Sequence, residues 1–347
     1  MLRASLGWDA SWEDAFEPYN RDGLVPARVA IRHHGPCVLL TDDGPLGGMP
    51  AGRLGDDDLP AVGDWVAARP LPGERRSLIE AVLPRRTAIV RKEAWRRARE
   101  QVLAANVDVA FLVAAVGRDL NPRRLERYLI LAWESGAEPV IVLTKADLAA
   151  DQTEALPAVE SVAIGVPVHV TSSVTGEGVD AVTARLAGGR TGVLLGSSGV
   201  GKSTLANRLL GEEHFRTREL RADERGRHTT THRELVVLPT GGVLLDTPGL
   251  REVQLWAGEQ SLDRTFEDVA ALAEACRFRD CGHVHEPGCA VLEAVETGSL
   301  SRERLASYGK LQRELRALEV RRSKRLQREQ RLRWRARQRA LRRDRPR

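Results

Sequence analysis

Four short apolar runs, Pro26 to Ile31, Cys37 to Thr41, Gly63 to Ala68 and Leu78 to Leu83, are separated by clusters of Gly, Pro and Asp. Runs of this length and punctuation predict strands, and several in succession predict a small antiparallel barrel of the OB type. After Arg91 the texture changes. Val109 to Val113, Pro139 to Leu143, Val166 to Val170 and Gly192 to Leu195 are almost continuously apolar, and helix-patterned segments (Arg123 to Trp133, Val179 to Leu186, Lys202 to Leu210) alternate with them. Strands apolar on both faces and joined by helices predict a parallel α/β sheet. Gly211, just past Leu210, reads as a helix stop. Glu234 to Leu238 and Val243 to Leu245 flank Gly241-Gly242 and predict a hairpin. Beyond about Leu250 the strand pattern ends, and Leu305, Leu311, Leu315, Leu318 and Leu332 form a sparse helical stripe.

At 347 residues, 42% hydrophobic and 29% charged, the chain is long enough for two or three domains and too mixed to be fibrous or wholly disordered. Its longest apolar run, Val109 to Val116, is far short of the roughly 20 residues a bilayer-spanning helix needs. The N-terminus lacks the basic-then-apolar order of a secretory signal. A soluble cytoplasmic protein with no membrane partner is expected. The net charge of +5 hides an uneven distribution: residues 301 to 347 carry 19 Lys and Arg against 5 Asp and Glu, while the first 300 carry 34 against 43. An acidic body with a basic helical arm is expected to meet phosphates with steep salt dependence. With Tyr308 and Trp334 as the arm's aromatics, backbone contact is expected rather than sequence reading. Of the four cysteines, Cys276, Cys281 and Cys289 lie within fourteen residues, which argues for a metal site over a disulfide framework. Three thiolates and one imidazole, from His283 or His285, would close a tetrahedral structural Zn²⁺ site. Cys37, in a strand, reads as a core residue.

Gly196-Ser197-Ser198-Gly199-Val200-Gly201-Lys202-Ser203-Thr204 fits G-x-x-x-x-G-K-[ST], directly after an apolar strand and opening a helix. Backbone N–H groups of such a loop wrap a β-phosphate at the positive end of the helix, with Lys202 reaching the β/γ oxygens and Ser203 ligating Mg²⁺. Thr144-Lys145-Ala146-Asp147, at another strand end, resembles the N-K-x-D guanine-reading motif of GTPases, with Thr144 in place of Asn. A carboxylate at 147 accepts from guanine N1–H and N2–H₂, a donor pair adenine lacks. Thr171-Ser172-Ser173, ahead of Gly176-Glu177-Gly178, resembles the clamp on the guanine carbonyl, and it reads equally as a polar loop. Asp246-Thr247-Pro248-Gly249 resembles D-x-x-G, in which Asp246 would hold Mg²⁺ through water and Gly249 would sense the γ-phosphate. Gly226-Arg227-His228-Thr229-Thr230-Thr231 can supply the switch threonine, without the sequence choosing among Thr229, Thr230 and Thr231. Leu250 stands where many GTPases carry a water-positioning Gln, so intrinsic hydrolysis is expected to be slow, with His228 the candidate for the missing role and a solvated or RNA-contacting loop histidine the competing reading.

The order of these motifs is a cyclic rotation of the usual GTPase order. Together with G-R-H-T-T-T and D-T-P-G, it resembles the circularly permuted, small-ribosomal-subunit-dependent GTPase family of bacteria, over roughly residues 24 to 300. The resemblance implies an N-terminal OB-type β-barrel, an α/β circularly permuted P-loop GTPase domain and a C-terminal helical zinc-binding domain. It also implies hydrolysis of GTP to GDP and phosphate in late 30S maturation, with the 30S subunit and 16S rRNA as partners. Its zinc motif favours His283 over His285. The expected division is an N-terminal tail to 23, the barrel at 24 to 88, the GTPase domain at 89 to 252, the zinc-binding domain at 253 to 300 and the basic tail at 301 to 347, in a monomer. Because the chain leaves D-x-x-G and enters the C-terminal region at once, nucleotide state is expected to act on that region.

Overall fold

A computed structural model of the chain describes residues 2–322 apart from 21–22, 34, 56–57, 93–99, 118–119, 149–154, 216–233 and 247–257. The chain forms two compact units, residues 1–91 with 100–254, and residues 92–99 with 255–347.

In the first unit, β1 (Val25–Arg32), β2 (Cys37–Thr41), β3 (Gly44–Pro50), β4 (Trp65–Pro70) and β5 (Arg76–Val82) close in the order β1-β2-β3-β5-β4-β1. All neighbours are antiparallel except β3 and β5. This is the expected five-stranded barrel, with Ala27, Val29, Cys37, Leu39, Val66, Ala68 and Ile79 inside it. Strand β3 has no apolar alternation to announce it. Its sequence, GPLGGMP, is built from residues that weaken strands, yet a Cβ on Gly48 would lie 2.8 Å from Leu39 Cδ1, so the missing side chain makes room for the core.

Residues before 24, expected as a tail, fold as α1 (Leu2–Ser5) and α2 (Ala10–Asn20). Leu6, Trp12 and Phe16 are buried, and Trp8 meets Trp65 edge to face at 4.6 Å. Burial on the outer side of β1 is completed by Arg28, which is 1% exposed. Its guanidinium donates to Leu6 O, to Gly63 O at 3.3 Å, to Asn106 O at 3.3 Å and to Thr191 Oγ1 at 2.8 Å. Burial pulls the Arg28 pKa down to about 10, still well above neutrality, so a full charge is held chiefly by carbonyl oxygens. Arg28→Met is therefore expected to cost about 3–5 kcal/mol in urea unfolding by stranding those buried acceptors, and Arg28→Lys should recover little, since an ammonium cannot span them.

The α/β sheet runs β10 (Val168–Val170), β9 (Glu138–Thr144), β8 (Val109–Ala115), β11 (Thr191–Leu195), β13 (Val243–Asp246), β12 (Glu234–Val237). It is parallel except for the β12/β13 hairpin, as expected. Both faces are covered: Val109, Phe111 and Val113 join one core, Ala110 and Leu112 the other. Strand β10 starts after Pro167, which has no N–H for the ladder. Ile31 pairs with Glu234, joining barrel and sheet, while β6 (Ala88–Lys92) and β7 (Glu100–Ala105) pair apart from it. The helices are α3 (Pro122–Ser135), α4 (Ala155–Glu160), α5 (Val179–Ala184) and α6 (Lys202–Leu210). Asn121 caps α3 through its side chain, Pro122 opens it and Gly136 at φ 81° ends it.

The described part of the second unit is helical: α7 (Glu259–Thr265), α8 (Glu267–Glu274), α9 (Ala290–Glu296) and α10 (Arg302–Arg322). On α10 the buried face runs Arg304, Tyr308, Leu311 and Leu315, whereas Leu305 and Leu318 are half-buried. Leu332 lies outside the described residues. Arg304 fits a core position because Asp268 takes its guanidinium through two 3.0 Å bonds, Thr265 O accepts at 2.8 Å, and the Phe266 ring lies 4.1 Å beneath it.

Candidate functional site

Strands β10, β9, β8 and β11 end side by side, and their carboxyl ends are where open parallel sheets hold ligands. Between Leu195 and α6 the loop 196–201 reverses tightly. A Cβ on Gly196, at φ 157°, would lie 2.3 Å from Val113 O, so the loop can approach the neighbouring strand only with glycine there. Lys202 folds back over the loop and donates to Gly196 O at 2.8 Å and Ser197 O at 2.5 Å. Ser203 is half-buried and Thr204 exposed on the first turn of α6.

The 144–147 motif grips this loop. Thr144, buried at the end of β9, places its hydroxyl 2.5 Å from Val200 O and 3.2 Å from Ala114 O. Lys145, at φ 63°, sends its ammonium 2.7 Å to Gly199 O. The amide lost with Asn is thus replaced by a hydroxyl that makes the tie to the loop. Asp147 is exposed, and its Oδ1 accepts from Ser172 Oγ at 2.6 Å. Ala146 N donates to Thr171 O at 3.2 Å, so the two base-side segments are joined by backbone and side chain alike. Ser172 is buried and Ser173 half-buried. Three segments far apart in sequence, 144–147, 171–173 and 196–204, therefore form one surface.

Asp246 ends β13, adjacent to β11, at the same edge of the sheet. His228, Thr229, Thr230, Thr231 and Gly249 lie outside the described residues, as does Leu250. Sequence reasoning missed Arg124, whose Nη1 donates to Ser197 Oγ at 2.6 Å from the first turn of α3. Nothing in the local pattern marks it, because it is one of two successive arginines on a solvated face.

In the second unit, Cys276, Cys281, His283 and Cys289 place one ligand atom each within 4.8 Å of one another. The Cys276 and Cys289 sulfurs are 3.8 Å apart, and His283 Nδ1 lies 3.7 Å from Cys276 Sγ and 3.4 Å from Cys289 Sγ. A tetrahedron built with Zn–S of about 2.3 Å and Zn–N of about 2.0 Å has edges of about 3.8 and 3.5 Å. All three cysteines are free thiols, and the donor set is compatible with zinc. His285 is exposed and outside the cluster. The reason is Glu286, a second residue the sequence did not single out: its carboxylate accepts from Gly282 N at 3.0 Å, Val284 N at 2.9 Å and His285 N at 3.0 Å. Those N–H groups hold its pKa down at about 2 and fix a turn in which His283 takes φ 55° and faces the thiols.

The RsgA GTPase family model matches residues 82–256. A small ribosomal subunit biogenesis GTPase RsgA from Streptomyces coelicolor is 50% identical over 317 residues, covering 90% of this chain and 86% of its own. Its counterpart in Opitutus terrae is 49% identical over 329 residues, with 90% of each chain covered. Among solved structures, YjeQ from Thermotoga maritima matches with TM-score 0.63 and 28% identity over 84% of this chain and 98% of that one. YloQ, described as a circularly permuted GTPase, matches with TM-score 0.61 and 25% identity over 85% and 96%.

Proposed function

The chain belongs to the RsgA GTPase family, and from that premise we infer that it hydrolyses GTP in the biogenesis of the small ribosomal subunit. The observation that carries this reading onto named residues is the convergence of the 144–147 motif on the phosphate loop, with Thr144 and Lys145 bonded to consecutive loop carbonyls.

In this reading Gly196 to Thr204 cradle the phosphates and Lys202 leaves its two carbonyls for the β/γ oxygens. Asp147 reads the guanine N1–H and N2–H₂ edge, held at its angle by Ser172, while Thr144, Lys145, Ala146 and Ser173 complete the base side. Ser203, one of Thr229, Thr230 and Thr231, and Asp246 would hold Mg²⁺, which supplies positive charge against the phosphate oxygens. Gly249 would register the γ-phosphate. With Leu250 unable to orient water, His228 takes that role. Cys276, Cys281, His283 and Cys289 hold a structural zinc. The barrel at 24–88, the zinc-binding region at 253–300 and the basic tail at 301–347 meet 16S rRNA, and the protein works as a cytoplasmic monomer on the 30S subunit.

The test is GTP turnover with and without purified small subunits, ATP serving as competitor. Subunits are expected to stimulate turnover several-fold or more, with ATP ineffective; no stimulation, or equal use of ATP, sinks the reading. The same assay run on His228→Ala should lose the stimulated rate, and a normal rate would remove His228 from catalysis.

A further inference from the structure

Two cations end on Ser197: its carbonyl accepts from Lys202 Nζ at 2.5 Å and its hydroxyl from Arg124 Nη1 at 2.6 Å. We propose that Arg124 is a further cation of the phosphate site, beside Lys202 and Lys145, a positioning residue that acts through Ser197 and makes affinity depend more steeply on how many phosphates the nucleotide carries. This rests on the reading of loop 196–204 as the GTP phosphate loop.

Arg124 is held for the task. Its backbone N–H donates to Asn121 Oδ1 at 3.3 Å in the cap of α3, so the side chain starts from a pinned turn. The neighbouring Arg123 pairs with buried Glu126 at 2.7 Å, whereas among the described residues the Arg124 guanidinium meets no carboxylate. A surface arginine usually finds an acid or points into water. This one, though exposed, turns to the loop and ends on the residue whose carbonyl takes the ammonium of Lys202. Two positive charges brought to one residue repel each other, and salt at physiological strength screens such repulsion only beyond about 8 Å. An anion in the loop relieves that repulsion, and a more highly charged anion relieves it further. Through-space attraction between unit charges about 8 Å apart near a protein surface corresponds to roughly two- to tenfold in affinity for each added phosphate.

Equilibrium titration of GMP, GDP and a non-hydrolysable GTP analogue separates this from a brace that only shapes the loop. For Arg124→Ala the loss is expected to grow from GMP to GDP to the GTP analogue. Arg124→Lys should restore most of it by keeping the charge, and KM for GTP should rise with kcat within about twofold. Ser197→Ala should reproduce part of the loss and add little in the Arg124→Ala background, because the two belong to one interaction. An equal loss for all three nucleotides, no loss, or no rescue by lysine overturns the assignment; urea unfolding of each variant shows that it is folded. A wild-type chain that binds none of the three sinks the underlying reading instead, and does so before any variant is made.

Discussion

Lys202→Ala should lower subunit-stimulated GTP turnover by roughly a thousandfold and leave the fold intact. The ammonium lies over the loop backbone, held by Gly196 O and Ser197 O within hydrogen-bond distance. On the proposed reading, phosphate entry exchanges those carbonyls for oxygens that gain negative charge as the bond to the γ-phosphoryl breaks. Removing a preorganised donor at such a point costs up to about 4 kcal/mol in the barrier, which is the factor stated. Lys202→Arg should rescue poorly, because a planar fork cannot sit between two carbonyls that a point charge fits. Stability should scarcely change, since Lys202 is half-buried and stands at the positive end of α6, where a cation is not favoured. Phosphate release with small subunits present, beside the urea midpoint, measures both; turnover within tenfold of the parent would contradict the role of Lys202.

The second large effect concerns the second unit. Cys276→Ser, or a strong chelator, should release one zinc per chain and destabilise that unit by on the order of 10 kcal/mol, the scale of structural zinc in small domains. The damage should spread along helices as well as the loop. Cys276 follows Ala275, the cap residue at the end of α8, and Cys289 caps α9, its sulfur accepting from Leu292 N at 3.5 Å, so both ends fray together. A colorimetric zinc assay combined with limited proteolysis across 276–289 reports this. Basal GTP turnover should persist, because the residues proposed to make the nucleotide site belong to the other unit. Full zinc content in Cys276→Ser would refute the ligand set.

Much of this site was legible because its chemistry is written in consecutive residues. A phosphate loop needs glycines at set positions, and α6 came out at the bounds its pattern predicts, Lys202 to Leu210. The parallel strands were equally plain, since burial on both faces leaves an unbroken apolar run. What stayed hidden depends on partners remote in sequence. Strand β3 is held by ladders on both sides despite its glycines and prolines. The buried arginines Arg28 and Arg304 look like surface residues until the chain brings Thr191 to one and Asp268 to the other. The leucine stripe pointed to the correct helix, but Arg304 and Tyr308 share its buried face because their polar ends are satisfied locally. His283 and His285 differ by two positions and could not be separated by spacing alone. The carboxylate of Glu286, which bends the backbone between them, decides which imidazole meets the thiols.

The strand order also has a history in time. Val109 in β8 pairs with Gly192 in β11, 83 residues further along the chain. A ribosome adding roughly 5–20 residues per second makes that partner about four to seventeen seconds late. During the interval β8, β9 and β10 can pair with one another, but the inner edge of β8 stays open with its apolar side chains waiting. A GTPase with the usual order makes its central strand first and builds outward. This chain makes one flank first and must keep it soluble until the centre arrives, so newly made protein passes through a stage with the hazards of an exposed sheet edge.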